Sequence, residues 1–321
     1  MAHRNNHSFN NTNSLNNNTN SFNTNTNSFN NVSNNYITAD ERPQILAWLS
    51  PLEPRLQHKD IQDRRVENIG EWVLETEEFK NWYASSGESG SDNAILFCYG
   101  DPGVGKTFIR YQGGISMNER RAGANEVDAS SLVMDKLGDR AFGQGVTVAG
   151  FYFDYTIKKE QSPASMLGAV LKQVVGGLEE VPGEIAQAYT NQKQVIDGRG
   201  PRLADIVKML QSTTSIKRTF ICIDGLDECM AEYRVKILDS LNHVLQSSPG
   251  TRVFTTGRPH IEAEAGRRLS GRGTAIRITP QKHDIISYLH RRLKEDIRPE
   301  AMDGNLKADI LKKICRDVSE M

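Results

Sequence analysis

Eight consecutive residues, Gly100, Asp101, Pro102, Gly103, Val104, Gly105, Lys106 and Thr107, have the types and spacing of a loop that wraps a polyphosphate. Glycine lets backbone N–H groups approach a concentrated negative charge, and a helix starting behind the loop aims its N-terminus at the same charge. In such a loop Lys106 reaches the β- and γ-phosphates and the Thr107 hydroxyl serves Mg2+. About 120 residues later, TFICIDGLDEC delivers Asp224 at the end of an apolar run, with Asp227 and Glu228 just beyond it. A carboxylate at that place holds the Mg2+ that bridges the phosphates, and a second acid orients or activates an attacking water. Type and spacing leave that second role open between Asp227 and Glu228. A third run, RVFTTGRPH, ends in Thr255, Thr256 and Arg258. A guanidinium there is suited to sensing a γ-phosphate.

For these groups to converge, each must end a strand of one sheet. AILFCYG, directly before the glycine loop, reads as a short buried strand, and so do VTVAGFYFDY, TFICID, TRVFTT and TAIRIT. Between them lie helical periods: Met166, Leu167, Val170, Leu171 and Val174, then Leu203, Ile206, Val207 and Leu210, then Val235, Leu238, Leu241 and Leu245. Strands alternating with helices imply an α/β fold with a parallel sheet covered on both faces. Upstream, Ile45, Leu46, Trp48 and Leu49, then Val66, Ile69, Trp72, Val73 and Phe79, have the spacing of two short amphipathic helices. After Pro280 the pattern is helical, with Ile285, Tyr288, Leu289 and Leu293 on one face and Leu306, Ile310, Ile314 and Val318 on another.

The remaining composition narrows the class. Of 321 residues 25% are charged and 37% hydrophobic, and the formal net charge of -1 supplies no drive toward nucleic acid or a membrane surface. The basic cluster GRRLSGRGTAIR reads as a solvated face. No apolar run approaches the roughly 18 residues of a membrane span, and the N-terminus has no signal-peptide pattern. Cys98, Cys222, Cys229 and Cys315 lie far apart without metal-ligand spacing and read as reduced thiols of a cytoplasmic protein. Residues 1–36, rich in Asn, Ser and Thr with SFN at Ser8, Ser21 and Ser28, hold too little apolar surface to offset ordering and read as a disordered tail. An Asn-rich tract with spaced aromatics also has the composition of a cross-β assembly element.

Taken together, ILAWLSPL, RRVENIGEWVLETEEFKNW, GDPGVGKT, GFYFDY, FICIDGLDEC and FTTGRPHI resemble a NACHT-type nucleotide-binding domain of the STAND class of signalling NTPases. The chain is especially similar to the fungal, nephrocystin-3-like N-terminal form that is often joined to ankyrin or WD repeats. The resemblance runs from about Asp40 to the end. It implies a P-loop NTPase sheet, ATP or ADP with Mg2+, Lys106 and Thr107 on phosphate and metal, Asp224 on the metal, Asp227 or Glu228 as the hydrolytic acid and Arg258 as sensor. It also implies a switch, closed with ADP and open with ATP, that self-oligomerises when open and hydrolyses slowly or not at all. The rival readings are a constitutive P-loop ATPase and a scaffold that no longer binds nucleotide. On this reading the chain divides into the tail (1–36), a helical segment (37–90), the nucleotide domain (91–280) and a helical region (281–321), cut short of the winged-helix and repeat regions with which the family continues.

One stretch departs from that family. YQGGISMNERRAGANEVDAS, residues 111–130, puts glycines and no apolar period where the helix behind the phosphate loop belongs. Without it, Phe108, Ile109, Leu132, Val133 and Leu137 fall on one face of a continuous helix. The segment therefore reads as an insertion, and its 20 codons match a short intron retained in frame; a surface insertion is the competing account.

Overall fold

The computed structural model describes residues 41–65, 69–85, 93–100, 129–141, 143–193, 200–279, 281–294 and 304–319. The Asn-rich tail, Asp101 to Thr107 of the phosphate loop, and 108–128 lie outside the described residues.

Ahead of the sheet, where two helices were expected, the chain forms four short ones: α1 (Glu41–Leu49), α2 (Pro54–Arg64), α3 (Trp72–Glu75) and α4 (Glu77–Ala84). Pro54 opens α2, since a missing N–H costs nothing in a first turn. Thr76 separates α3 from α4: its backbone is extended, and its hydroxyl accepts the Phe79 N–H at 3.2 Å as an N-cap.

The sheet follows as β1 (Ile95–Tyr99), α5 (Ala129–Ala141), β2 (Thr147–Tyr152), α6 (Pro163–Gly176), α7 (Gly183–Lys193), α8 (Leu203–Ile216), β3 (Thr219–Asp224), α9 (Ala231–Ser247), β4 (Arg252–Gly257), α10 (Glu262–Arg268) and β5 (Gly273–Arg277). All five strands are parallel, in the order β2-β3-β4-β1-β5. β2 stops at Tyr152, short of the run VTVAGFYFDY, because Asp154 turns the chain: its Oδ1 accepts the Thr156 N–H at 2.8 Å. Helices α7 and α10 bury too few apolar residues for a period to show in the sequence. After β5 come α11 (Lys282–Lys294) and α12 (Gly304–Ser319), the helical region expected behind Pro280.

Strand alternation sends side chains to two cores. Ile95, Phe97, Ile221 and Ile223 meet Met166, Leu171, Leu210 and Leu241 of α6, α8 and α9, with Ile45 and Leu49 of α1. On the opposite face Leu96, Cys98, Phe220, Cys222 and Phe254 meet Trp82 of α4 and Leu132, Val133 and Leu137 of α5. Leu132, Val133 and Leu137 of the face read across the 111–130 segment are thus buried on α5, while Phe108 and Ile109 lie outside the described residues. Its first turn starts at Ala129, however, so the last two residues assigned to the insertion belong to the helix.

Candidate functional site

The strand order fixes where the candidate residues meet. β4 lies between β1 and β3, so Gly100, just past β1, and Asp224, at the end of β3, stand two strand spacings apart, about 10 Å. The chain leaving β1 crosses to β2 on one side, and the chain leaving β4 crosses to β5 on the other. Open α/β sheets bind ligands in the crevice where such connections diverge, outside the carboxyl ends of the strands.

Asp224 is the centre of that edge. It is 5% exposed, and its Oδ1 accepts from Ser130 Oγ at 2.6 Å and from the Thr256 hydroxyl. Thr256 Oγ1 in turn accepts the Gly225 N–H at 3.0 Å, which orients its proton toward the carboxylate. Burial pushes the Asp224 carboxyl above its ordinary range; the Ser130 and Thr256 hydroxyls pull it back down, and the nearby Asp227 charge adds to the rise. Gly225, at φ +66°, supplies the left-handed turn that carries the chain from β3 to Asp227 and Glu228.

The other candidates have partners of their own. Asp227 is locked to Arg258 at two points: its Oδ2 lies 3.0 Å from Arg258 Nε, and its Oδ1 accepts the Arg258 backbone N–H at 3.1 Å. Glu228 Oε2 accepts the Tyr155 N–H at 3.2 Å from the loop behind β2. Thr255 points to the opposite face of β4 from Thr256, with its hydroxyl buried away from the Asp224 group.

Gly100, Asp224, Asp227, Glu228 and Arg258 therefore share one edge of the sheet. Asp101, Pro102, Gly103, Val104, Gly105, Lys106 and Thr107 lie outside the described residues, as does Val66. Among the described residues no group of three or more His, Cys, Asp or Glu side chains is arranged to hold a metal ion. One buried carboxylate with two hydroxyls does fit Mg2+, which keeps several waters and takes one or two carboxylates beside phosphate. Cys98, Cys222 and Cys229 are buried, and burial pushes the Cys98 thiol far up and that of Cys229 to about 12.

Three features were missed by sequence reasoning. Ser130 was assigned to the insertion, although a serine directly before the apolar period is a helix-start signal. Behind it, Asp135 of α5 accepts from His58 Nε2 at 3.0 Å, from Gln62 Nε2 at 3.1 Å and from Arg65, which also donates to Ser131 Oγ at 3.1 Å. His58 Nδ1 meets the Tyr152 hydroxyl at 2.6 Å, so the ring bridges α2 to both β2 and α5. Finally, Asp284 of α11 accepts the Gly70 N–H at 3.2 Å, and Arg291 donates to the Arg65 carbonyl at 3.1 Å. These long-range contacts tie α2, α5 and α11 together, and no local pattern announces them.

A parallel sheet with helices on both faces and a buried acid at the carboxyl end of its third strand defines an α/β domain. The chain belongs to the family described as Nephrocystin 3, N-terminal, which matches residues 68–112 and 128–258, just over half of its length. The break between the two matched stretches falls inside 111–130. No curated protein matches the chain. Among solved structures, the Aeropyrum pernix ORC1 protein in complex with DNA is 17% identical, at a TM-score of 0.35, over 69% of this chain and 49% of that one. Drosophila ORC bound to AT-rich DNA and Cdc6 is 12% identical, at 0.34, over 88% and 86%. This chain spans about half of the ORC1 chain. No helix among the described residues is long and apolar enough to cross a membrane.

Proposed function

We propose that the chain is a cytoplasmic signalling switch that binds ATP or ADP with Mg2+ and hydrolyses slowly or not at all. The observation that carries this reading is Asp224, buried at the end of β3, two strands from the end of the strand that leads into GDPGVGKT. On this reading Lys106 holds the β- and γ-phosphates, and Thr107 and Asp224 hold the ion. The ion screens phosphate charge when bound. Because Asp227 is paired with Arg258 Nε, Glu228 is the better supported acid for orienting water, and the half-exposed Arg258 guanidinium has N–H donors beyond Nε with which to meet a γ-phosphate. The balanced charge supplies no drive toward nucleic acid or a membrane surface as the partner.

The test is a titration of fluorescent ADP and ATP with Mg2+ on the full chain and on Lys106→Ala. Binding lost in Lys106→Ala supports the reading; binding that survives it, or no binding at all, refutes it. The segment 111–130 we read as retained intron sequence, supported by the gap in the family match at 113–127. Genomic sequence without a GT at its first junction overturns that account.

A further inference from the structure

We propose that the outer edge of β5 takes up an extended acidic peptide as an added strand. The two edges of the sheet are finished differently. At the β2 end the odd-numbered residues face β3, since the Thr147 N–H donates to the Arg218 carbonyl and the Phe153 N–H to that of Asp224. The groups that face outward are taken up by two glutamine side chains. Gln173 of α6 accepts the Gly150 N–H at 3.1 Å and donates to the Gly150 carbonyl at 2.8 Å. Gln161 accepts the Asp154 N–H at 3.0 Å and donates to the Tyr152 carbonyl at 3.2 Å. A side-chain amide carries donor and acceptor side by side, so each glutamine stands in for a residue of a neighbouring strand and closes that edge.

β5 has no such cover among the described residues. It pairs with β1, where the Ile95 N–H donates to the Arg272 carbonyl and the Ile278 N–H to that of Tyr99, so its even-numbered residues face β1. Gly273 and Ala275 are exposed and turn their N–H and C=O groups outward, where they meet no hydrogen-bond partner among the described residues. Outward-facing groups of this kind are a template for another strand, and side chains this small leave the approach clear. Charge selects the occupant. Between Glu264 and Asp284 the chain carries Arg267, Arg268, Arg272, Arg277 and Lys282 and no carboxylate. Arg268 is paired with Asp239 and Glu264, whereas Arg267 and Arg272 make no ion pair among the described residues. A second copy of β5, laid antiparallel about Ala275, would set Arg277 of each copy against Gly273 of the other, beside Arg272, and gather like charges. A segment with carboxylates at both ends and small or β-branched residues between them instead meets Arg272 and Arg277, which stand about 17 Å apart along the strand. The cluster GRRLSGRGTAIR thus runs along a sheet edge that can bind.

The test is fluorescence anisotropy of the full chain, without nucleotide, with a labelled, end-blocked peptide that carries two glutamates at each end of a Val-Thr-Val centre. Its controls are the same peptide with lysines for glutamates, the same peptide N-methylated at the central amides, and a labelled single-stranded oligonucleotide. Expected is binding of the unmodified glutamate peptide alone, weakened at least tenfold by Ala275→Pro and at least fivefold by Arg272→Glu. Proline removes the outward N–H and is tolerated on an edge strand, so thermal unfolding of Ala275→Pro should stay close to wild type. Binding that survives both N-methylation and Ala275→Pro rests on charge without strand addition and overturns the proposal. So does an oligonucleotide bound as tightly as the peptide, a lysine peptide bound as tightly as the glutamate one, or no binding by the wild-type chain. Should Ala275→Pro fold poorly, the N-methylated peptide on the wild-type chain decides alone.

Discussion

Replacing Asp135 with alanine removes the acceptor on which α2 and α5 converge. The wild-type side chain takes hydrogen bonds from His58, Gln62 and Arg65, and it is 16% exposed. A hydrogen bond to a charged group contributes roughly 1.5–3 kcal/mol net. Gln62 lies on the solvent side and counts for little, which leaves two bonds at the low end of that range, so Asp135→Ala is expected to cost about 3 kcal/mol. The assay is urea unfolding at pH 7. With a slope of about 2–3 kcal/mol/M, the midpoint falls by about 1–1.5 M at unchanged slope. The acid limb gives an independent check. Burial pushes the Asp135 carboxyl up, but bonds from His58 and Arg65 and the Arg65 charge outweigh it and hold it below the ordinary value of 3.8. A lowered carboxylate contributes stability that is present above the ordinary value and lost as pH falls through the lowered one. The gap between wild type and Asp135→Ala should therefore close as pH falls below about 3.8. A midpoint shift under about 0.3 M at pH 7, or a gap that does not narrow below about 3.8, refutes the argument.

Trp82 is fully buried against Phe220, with ring centroids 5.3 Å apart, and its indole N–H finds no hydrogen-bond acceptor among the described residues. Trp82→Ala is expected to cost about 3–5 kcal/mol and Trp82→Phe under about 1.5, by urea unfolding, since phenylalanine gives up no satisfied polar group. A Cβ on Gly168 would stand 2.3 Å from the Leu49 carbonyl oxygen, backbone that cannot swing aside. Gly168→Ala is expected to destabilise by about 1–2 kcal/mol by thermal unfolding, despite the gain alanine brings to a helix interior; a stabilised variant would show that α1 and α6 do not pack this closely. Burial raises the Asp284 carboxyl, with His283 and the Gly70 N–H opposing and Glu71 adding. A raised carboxyl favours the folded state below its ordinary value and loses that contribution as pH climbs through the raised one. Amides of α11, corrected for intrinsic exchange, should be better protected at pH 5 than at pH 8, and Asp284→Asn should flatten the difference.

Strands β1 to β4 were legible because each is an apolar run bounded by turn residues, and both faces of a parallel sheet are buried. TAIRIT was read as buried too, but β5 lies at the edge of the sheet and only Ile276 of it is buried. The buried face of α5 was legible as well: Leu132, Val133 and Leu137 repeat at helical spacing. The acids of the ligand edge could be placed by the strand that precedes them. What they bond to could not, since Asp227 with Arg258 and Glu228 with the Tyr155 amide join residues far apart in the chain. The same limit hid Asp135, whose partners come from α2, and Asp284, whose partner precedes the sheet.

The start of α5 shows how burial and hydrogen bonding act together: Leu132, Val133 and Leu137 pack its stripe on the apolar face of the sheet, and Ser130 in its first turn meets Asp224. Asp224, buried and raised, requires hydroxyl donors wherever they come from, because an unpaired carboxylate at 5% exposure is far costlier than a displaced helix start.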